Sequence, residues 1–157
     1  MSEFRSIHLA IALATRQRDV LAKSHAQVLR NLDFAKSQMA QLESYALDTD
    51  AKWIGAAMTN LSGEMVRHHY QFVERLQQAI GMQNGVMKDI QTQIDAAHKA
   101  LLQAEFRLSG LNQVLTTRQS AQQLKYKRRE QRATDEFAAL RHIHGKTSSQ
   151  TGDHHDN

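Results

Sequence analysis

The chain has 157 residues, a net charge of +4 and neither cysteine nor proline. This length fits one domain. The absence of cysteine excludes disulfides, thiolate metal ligands and thiol nucleophiles, and no apolar run approaches the roughly 20 residues that a membrane span requires. Gln, Ala, Leu, Lys, Arg and Glu dominate the composition, which is typical of long helices and coiled coils.

A first long helix is predicted by an apolar stripe near the N-terminus, whose positions alternate between spacings of three and four residues. Such spacing places a narrow stripe along one side of a helix and favours a partner helix rather than a globular core. Leu9, Leu13 and Val20 lie beside the stripe and widen its apolar surface, which indicates a docking face. The stripe consists of Ile7, Ile11, Ala14, Arg18, Leu21, His25, Val28, Leu32, Ala35, Met39, Leu42 and Ala46.

A second long helix is predicted by a longer stripe with the same spacing. Its alternation is interrupted at the steps from Phe72 to Leu76 and from Ile90 to Ile94, where one step of four follows another. Such stutters locally unwind a supercoil without breaking the helix. The stripe consists of Met65, His68, Phe72, Leu76, Ala79, Gln83, Val86, Ile90, Ile94, Ala97, Leu101, Ala104, Leu108, Leu111 and Leu115.

The chain reversal between the two helices is predicted near residues 60–63. This segment contains a Ser-Gly step, which favours a reversal, and it lies midway between Ile7, where the first stripe begins, and Leu115, where the second ends. A rival reversal at Gly81–Gly85 is rejected because the apolar phase passes through it undisturbed. The predicted fold is therefore all-α: a long antiparallel two-helix coiled-coil hairpin, which pairs residues whose numbers sum to about 122 to 124.

Beyond Leu115 the same phase continues with the polar residues Arg118, Gln122 and Lys125. We expect residues 1–144 to form the hairpin domain, with residues 118–142 as a basic helical overhang. Gly145 is predicted to end the helix, and residues 145–157, which contain no apolar side chain, are predicted to be disordered. The positive charge is concentrated in residues 125–132 of the overhang, where Glu130 alone opposes Lys125, Lys127, Arg128, Arg129 and Arg132.

The sequence offers no constellation for catalysis or for a cofactor. A two-helix hairpin has no cleft in which paired carboxylates could act. His68 and His69 are neighbours, so their side chains point about 100° apart on a helix and cannot easily share an ion. His25 has no second ligand at helical spacing. We therefore expect a protein without enzymatic activity, cofactor or metal site.

At several of these residues the sequence resembles the FliJ family, the small coiled-coil component of the bacterial flagellar type III protein export apparatus. The resemblance spans roughly residues 7–141. Its last motif, in which an acidic and aromatic segment follows the basic run, is the most specific in combination with the aromatic block before it. The motifs are Gln41-Leu42 with Tyr45, Tyr70–Ile80, Leu111 with Arg118-Gln119, and Arg129–Ala138.

The resemblance implies a hairpin similar to the central stalk of rotary ATPases. It also implies that both termini enter the ring of the flagellar export ATPase hexamer and promote its assembly and activity. From the surplus apolar surface and the overhang we expect this contact to use Leu9, Leu13, Val20, Lys125, Arg128, Arg129 and Arg132. A second surface, by resemblance, contacts the export-gate membrane protein. Its residues are Gln38, Leu42, Tyr45, Phe72, Leu76 and Ala79.

The resemblance further implies a role in handling export chaperones, and a cytoplasmic position, peripheral at the inner face of the cell membrane at the flagellar base. One departure from the family concerns Thr49, which stands where such families carry a second aromatic residue four positions after Tyr45. We expect a monomer when the protein is free.

Two other functions stay open. A stalk protein of a virulence-type secretion system has the same physical character and differs only in its partners. A helical arm that grips nucleic acid would use the overhang for phosphate contacts. Only Tyr126 is available there for base stacking, so we expect no nucleic-acid partner.

Overall fold

Two long helices make up the described chain. The structure, a computed structural model, describes residues 4–56 and 62–150, with residues 149 and 150 described by their backbone alone. Helix α1 spans Arg5–Ala56 and helix α2 spans Gly63–Gln150. Both described ranges are free of strands, and the two helices pack against each other. The predicted all-α fold of two packed helices is confirmed.

The chain divides into two units, and the first consists of Leu9–Leu108, which we call the hairpin unit. Within it, contacts between the helices pair late residues of α1 with early residues of α2, so the helices run antiparallel. The two ring contacts match the predicted pairing of residue numbers. The Gln83 contact departs from that pairing by about one helical turn, because its long side chain reaches along α1. The contacts are Trp53 with His69, Gln83 with Ala35, and His25 with His98.

The apolar seam of α1 follows the predicted stripe throughout the hairpin unit. Every stripe position from Ile11 to Ala46 is buried or half-buried, and Ala35, at 2% exposure, is the most enclosed of the buried apolar residues. The same spacing continues beyond the predicted stripe, because Thr49, Trp53 and Ala56 are also half-buried. The seam prediction for α1 is confirmed and extends to the end of the helix.

The apolar seam of α2 differs from the prediction in its first turns and at two later positions. One of these is Ala79, which is half-buried but lies beside the seam, because the half-buried Ile80 takes its place in the repeat. Met65, His68, Phe72 and Val86 were expected in the seam, but all four are exposed. The residue after each of them is half-buried instead: Val66, His69, Val73 and Met87.

With this correction, the seam of α2 alternates between steps of three and four from Val66 to Leu108, and neither predicted stutter occurs. A strict seven-residue repeat keeps the seam facing the partner helix through a left-handed supercoil. Phe72-Val73 and Val86-Met87 are adjacent apolar pairs, so either phase looked apolar in the sequence. Packing against α1 selects the phase that keeps the repeat. The seam positions of this unit are Val66, His69, Val73, Leu76, Ile80, Gln83, Met87, Ile90, Ile94, Ala97, Leu101, Ala104 and Leu108.

The predicted chain reversal falls partly on residues 57–61, which lie outside the described residues. Ser62 caps the start of α2, because its Oγ accepts a hydrogen bond from the backbone N–H of Met65 at 3.3 Å. Its carbonyl accepts another from Val66 N–H at 3.3 Å. Serine is a preferred N-cap residue because its hydroxyl satisfies a backbone donor that the first turn leaves unpaired.

The second unit, which we call the terminal unit, comprises the described residues of Met1–His8 and Ser109–Asn157. In it Ile7 is buried, and Leu111 and Leu115 are half-buried. Leu115 is the last such side chain, since every residue from Thr116 to Ser148 is exposed. This is where the apolar stripe of the sequence ends.

Helix α2 continues beyond Gly145, where the sequence predicted its end, to Gln150. Gly145 does not adopt a positive φ, so it does not form the left-handed cap with which glycine usually ends a helix. The next turn is supported by side-chain hydroxyls: Thr147 Oγ1 donates to the Ile143 carbonyl, and Ser148 Oγ donates to the Gly145 carbonyl, both at 3.1 Å.

Candidate interaction surfaces

The six residues expected at the export gate lie in one stretch of the hairpin unit. The Trp53–His69 stack, with ring centroids 3.8 Å apart, bounds this stretch on one side. On the other side Gln83 Nε2 donates to Gln38 Oε1 at 3.3 Å. All six residues belong to the segments between these two contacts, 38–53 on α1 and 69–83 on α2.

Four of the six residues share a single edge of the hairpin. Gln38 and Tyr45 each precede a seam residue of α1 by one position, and Phe72 and Ala79 do the same on α2. An antiparallel helix pair has an approximate two-fold axis, so equivalent flanking positions of its two helices lie along the same edge. We call these four residues the edge cluster.

The remaining two gate residues, Leu42 and Leu76, are half-buried seam residues. Because they pack between the helices, substituting either of them would lower the stability of the hairpin as well as affect any contact with a partner. Tyr45 and Phe72 are 61% and 49% exposed. Two largely exposed aromatic side chains on one edge of a slim hairpin form a surface suited to a partner.

Leu13 and Val20 line a groove near the start of α1, also within the hairpin unit. Its volume is about 560 Å³, and on the opposite helix it is lined by Ala100, Ala104 and Arg107. The alanines are small, which leaves space between the helices, while both α1 residues stay exposed. Leu9 is exposed as well but does not line the groove. The structure thus joins two of the three residues that the sequence grouped.

The basic residues of the terminal unit continue the heptad phase of the seam. After Leu111 and Leu115, alternating steps of four and three give Arg118, Gln122, Lys125, Arg129 and Arg132. These five positions therefore share one side of α2. We call it the basic face. Arg128 borders this face, and Lys127 lies on the opposite side.

The cations of the basic face have no counter-ions among the residues that the structure describes. Among the described residues, Arg118, Lys125, Arg129 and Arg132 form no ion pair or hydrogen bond with another side chain. Lys125 and Arg129 are one turn apart, and like charges at that spacing repel. A bound anionic surface would relieve this repulsion.

A cleft of about 530 Å³ lies against the basic face. Phe4, at the start of the described chain, lines it together with Tyr126. Arg118, Lys125 and Arg129 line it as well. The sequence prediction missed Phe4 and Arg118 as site residues, although Phe4 lies three residues before Ile7 in the phase of the first stripe, and Arg118 lies three after Leu115.

A second feature of the overhang was not anticipated. Phe137, Leu140 and Ile143 are all exposed and recur every three residues, so this part of α2 has an apolar side that no described residue covers. The Arg141 guanidinium lies 5.7 Å from the centre of the Phe137 ring, which is a cation–π contact at helical spacing.

The remaining side chains suggest no reaction chemistry. No group of three or more His, Asp or Glu side chains that could hold a metal ion occurs in residues 4–56 and 62–148. Neither α1 nor α2, as far as the structure describes them, includes a segment apolar and long enough to span a bilayer.

The family model for the flagellar FliJ protein matches residues 7–147, which cover both helices, the edge cluster and the basic face. No curated protein and no solved structure matches the chain. Because the family match covers far more than half of the sequence, the chain belongs to the flagellar FliJ protein family and is a component of the flagellar protein export apparatus.

Proposed function

We propose that the protein acts as a stalk within the flagellar export apparatus, binding the ring of the export ATPase and promoting its assembly and activity. The observation that carries this proposal is the basic face. It keeps the phase of a helix-packing seam, all five of its positions are exposed, and four of them carry cations. A partner that packs along this side of α2 must present carboxylates where α1 presents apolar side chains.

The ring of the ATPase suits this requirement if its lumen is lined with acidic residues. A helix without apolar burial gains little stability from folding alone, so an overhang of this kind is useful chiefly inside a partner. Leu13 and Val20 would add an apolar contact from the hairpin unit, and their groove has Arg107 in its wall. Arg128, at the border of the basic face, would contribute to the same field.

The proposal predicts that charge reversal on the basic face abolishes stimulation of the ATPase. The test variant is Lys125→Glu with Arg129→Glu. We expect binding to the ATPase ring to weaken at least about tenfold at low salt, because two favourable ion pairs become repulsive. Helicity and melting temperature should not fall, since neither side chain is buried. Stimulation of the ATPase and circular dichroism measure the two effects.

The matched control is Lys127→Glu with Arg141→Glu. It makes the same change in net charge on the opposite side of α2, and we expect stimulation to be retained. Equal loss in both variants would mean that overall charge matters rather than the face. Undiminished stimulation by the test variant would refute the role of the basic face. Salt-dependent binding of the wild type to bare RNA, without an effect on the ATPase, would favour a nucleic-acid-binding arm.

We further propose that the edge cluster binds the export-gate membrane protein, and so links the ATPase to the gate. Support comes from the exposure of Tyr45 and Phe72 on one edge. The double variant Tyr45→Ala with Phe72→Ala should weaken binding to the isolated cytoplasmic part of the gate while stimulation of the ATPase survives. Leu76→Ala is a poorer test, because Leu76 belongs to the seam and its truncation also lowers stability.

Tyr70→Ala is the matched control for the gate contact. Tyr70 is an exposed aromatic in the same stretch of α2, but it follows a seam residue and lies on the other edge. It should leave gate binding unchanged. Equal binding by the edge double variant and the wild type would refute the gate surface.

The family alone supports two wider proposals. The protein would act at the inner face of the cell membrane at the flagellar base, as a peripheral cytoplasmic component. It would also take part in handling export chaperones there. A virulence-type secretion system is the alternative setting, and stimulation of a virulence-type ATPase but not the flagellar one would favour it.

A further inference from the structure

Two histidines from different helices meet in the hairpin unit. His25 occupies a half-buried seam position of α1, and His98 follows the seam residue Ala97 on α2. Their ring centroids are 5.6 Å apart and their planes are inclined by 40°. Helix α1 offers His25 no second ligand at helical spacing, so the sequence prediction gave it no metal role. The second imidazole comes from α2 instead.

Neither imidazole has a partner for its nitrogens within the described chain. No hydrogen bond and no ion pair to either ring is present among residues 4–56 and 62–148. A neutral imidazole has one nitrogen that donates and one that accepts. Each ring therefore keeps a lone pair available to a ligand that lies between the two helices.

We propose that His25 and His98 together bind one divalent transition-metal ion, of the class of Zn²⁺, Ni²⁺ or Cu²⁺. Imidazole nitrogen is a favoured ligand for these metals. With metal–nitrogen distances near 2.0 to 2.1 Å and a tetrahedral angle, two coordinating rings have centroids about 5 Å apart. The observed 5.6 Å needs only small side-chain rotations to reach that geometry.

The site has two protein ligands, and water completes the coordination shell. Asp95 lies one turn before His98, but its Oδ1 accepts a hydrogen bond from Gln91 Nε2 at 3.2 Å, and no third His, Asp or Glu side chain joins the group among the described residues. The site is therefore open and binds more weakly than a structural zinc site with four ligands. It takes an ion only when metal is supplied.

A metal ion bound at this site cross-links the two helices. The ion connects α1 to α2 and closes the long loop of chain between residues 25 and 98. Because the unfolded chain does not hold the two rings together, binding stabilises the folded hairpin. Other described histidines are placed differently: His69 is stacked on Trp53, and His142 and His144 are exposed in the terminal unit, where no described residue of α1 packs against them.

The test is thermal unfolding of the full-length protein with Ni²⁺ or Zn²⁺ in about tenfold molar excess or more. We expect the metal to raise the melting temperature of the wild type by at least about 3 °C. His25→Gln and His98→Gln should each lose this rise when compared with the same variant without metal. His68→Gln is the matched control and should keep the full rise, because His68 is exposed and lies outside the pair.

Measuring the melting temperature, rather than metal uptake, separates this site from the histidines near the C-terminus, which can bind metal without joining two helices. His98 is exposed, so its substitution tests the proposal even if His25→Gln weakens folding. No rise in the wild type would overturn the proposal, and so would an undiminished rise in His98→Gln.

Discussion

The hairpin unit and the terminal unit use the same helical repeat for opposite purposes. In the hairpin unit, the seam positions of α2 are mostly apolar and face α1. In the terminal unit, α2 keeps the repeat beyond Leu115, but its seam positions become Arg, Gln and Lys. The repeat itself therefore does not decide whether a helix packs within its own chain. The residue type at each seam position does.

This contrast separates stability from interaction. Burial of apolar side chains along the seam supplies most of the favourable free energy of a two-helix hairpin, so substitutions there should act on folding. From Thr116 to Ser148 no side chain is buried, so substitutions there should change binding to partners rather than the stability of the fold. Three experiments test this division.

The largest expected effect is the loss of a seam side chain in the hairpin unit. Ile94 is 7% exposed, and Ile94→Ala should lower the free energy of unfolding by about 2 kcal/mol or more, through lost burial and the cavity left behind. Phe106, on the same helix, is 84% exposed, and Phe106→Ala should change it by no more than about 0.5 kcal/mol. Urea unfolding measures both, and equal losses would contradict the seam assignment.

An intermediate effect is expected when the basic face is made apolar. Arg118→Leu, Lys125→Leu and Arg129→Leu together extend the apolar seam where no partner helix covers it. An uncovered stripe of this kind favours helix association, so sedimentation velocity should show self-association that increases with concentration.

The control for that experiment is Lys127→Leu, Arg128→Leu and Arg141→Leu. It removes the same number of charges but places none of the leucines in the phase of the seam. We expect this control to stay monomeric. Association of both variants to the same extent would show that charge loss, rather than the phase of the stripe, drives it.

The smallest expected effect concerns glycines inside α2. A Cβ added at Gly81 or Gly85 meets no atom within 4 Å, and neither glycine has a positive φ. Each Gly→Ala substitution should therefore stabilise the hairpin by about 0.5 to 1 kcal/mol. Gly145→Ala meets equally open space but lies in the overhang. It should raise helicity without moving the main unfolding transition, and a matching rise in melting temperature would contradict the division between units.

The sequence predicted α1 more accurately than α2, for a physical reason. In α1 neither neighbouring phase stays apolar: the phase one residue before the seam includes Gln17, Ser24 and Asn31, and the phase one residue after it includes Asp19 and Asp33. One phase is therefore clearly best. In α2, Phe72 and Val73 are both apolar, and only the partner helix decides which of them is buried. The sequence of α2 alone does not determine which of the two residues is buried, because burial depends on packing against α1.

The candidate sites show the same limit. The edge cluster could be grouped from the sequence because an antiparallel pairing implies which numbers meet. The pairing of His25 with His98 follows from the same arithmetic, although a search for ligands along one helix misses it. The end of α2 was misplaced because Gly145 is a helix breaker only where it adopts a left-handed conformation, and residue identity does not reveal its φ.

The hydrogen bond from Gln83 Nε2 to the Ala35 carbonyl, at 2.8 Å, lies between Gly81 and Gly85. Two glycines within five residues make this the most compliant part of the buried length of α2, where a bending load would concentrate. The cross-helix bond fastens that part to a stretch of α1 that contains no glycine, since the one glycine of α1 is Gly55, near its C-terminal end. At this level the apolar packing of the hairpin is therefore supplemented by a polar cross-helix bond, and exchanging Gln83 for an apolar residue would remove that bond beside the two glycines.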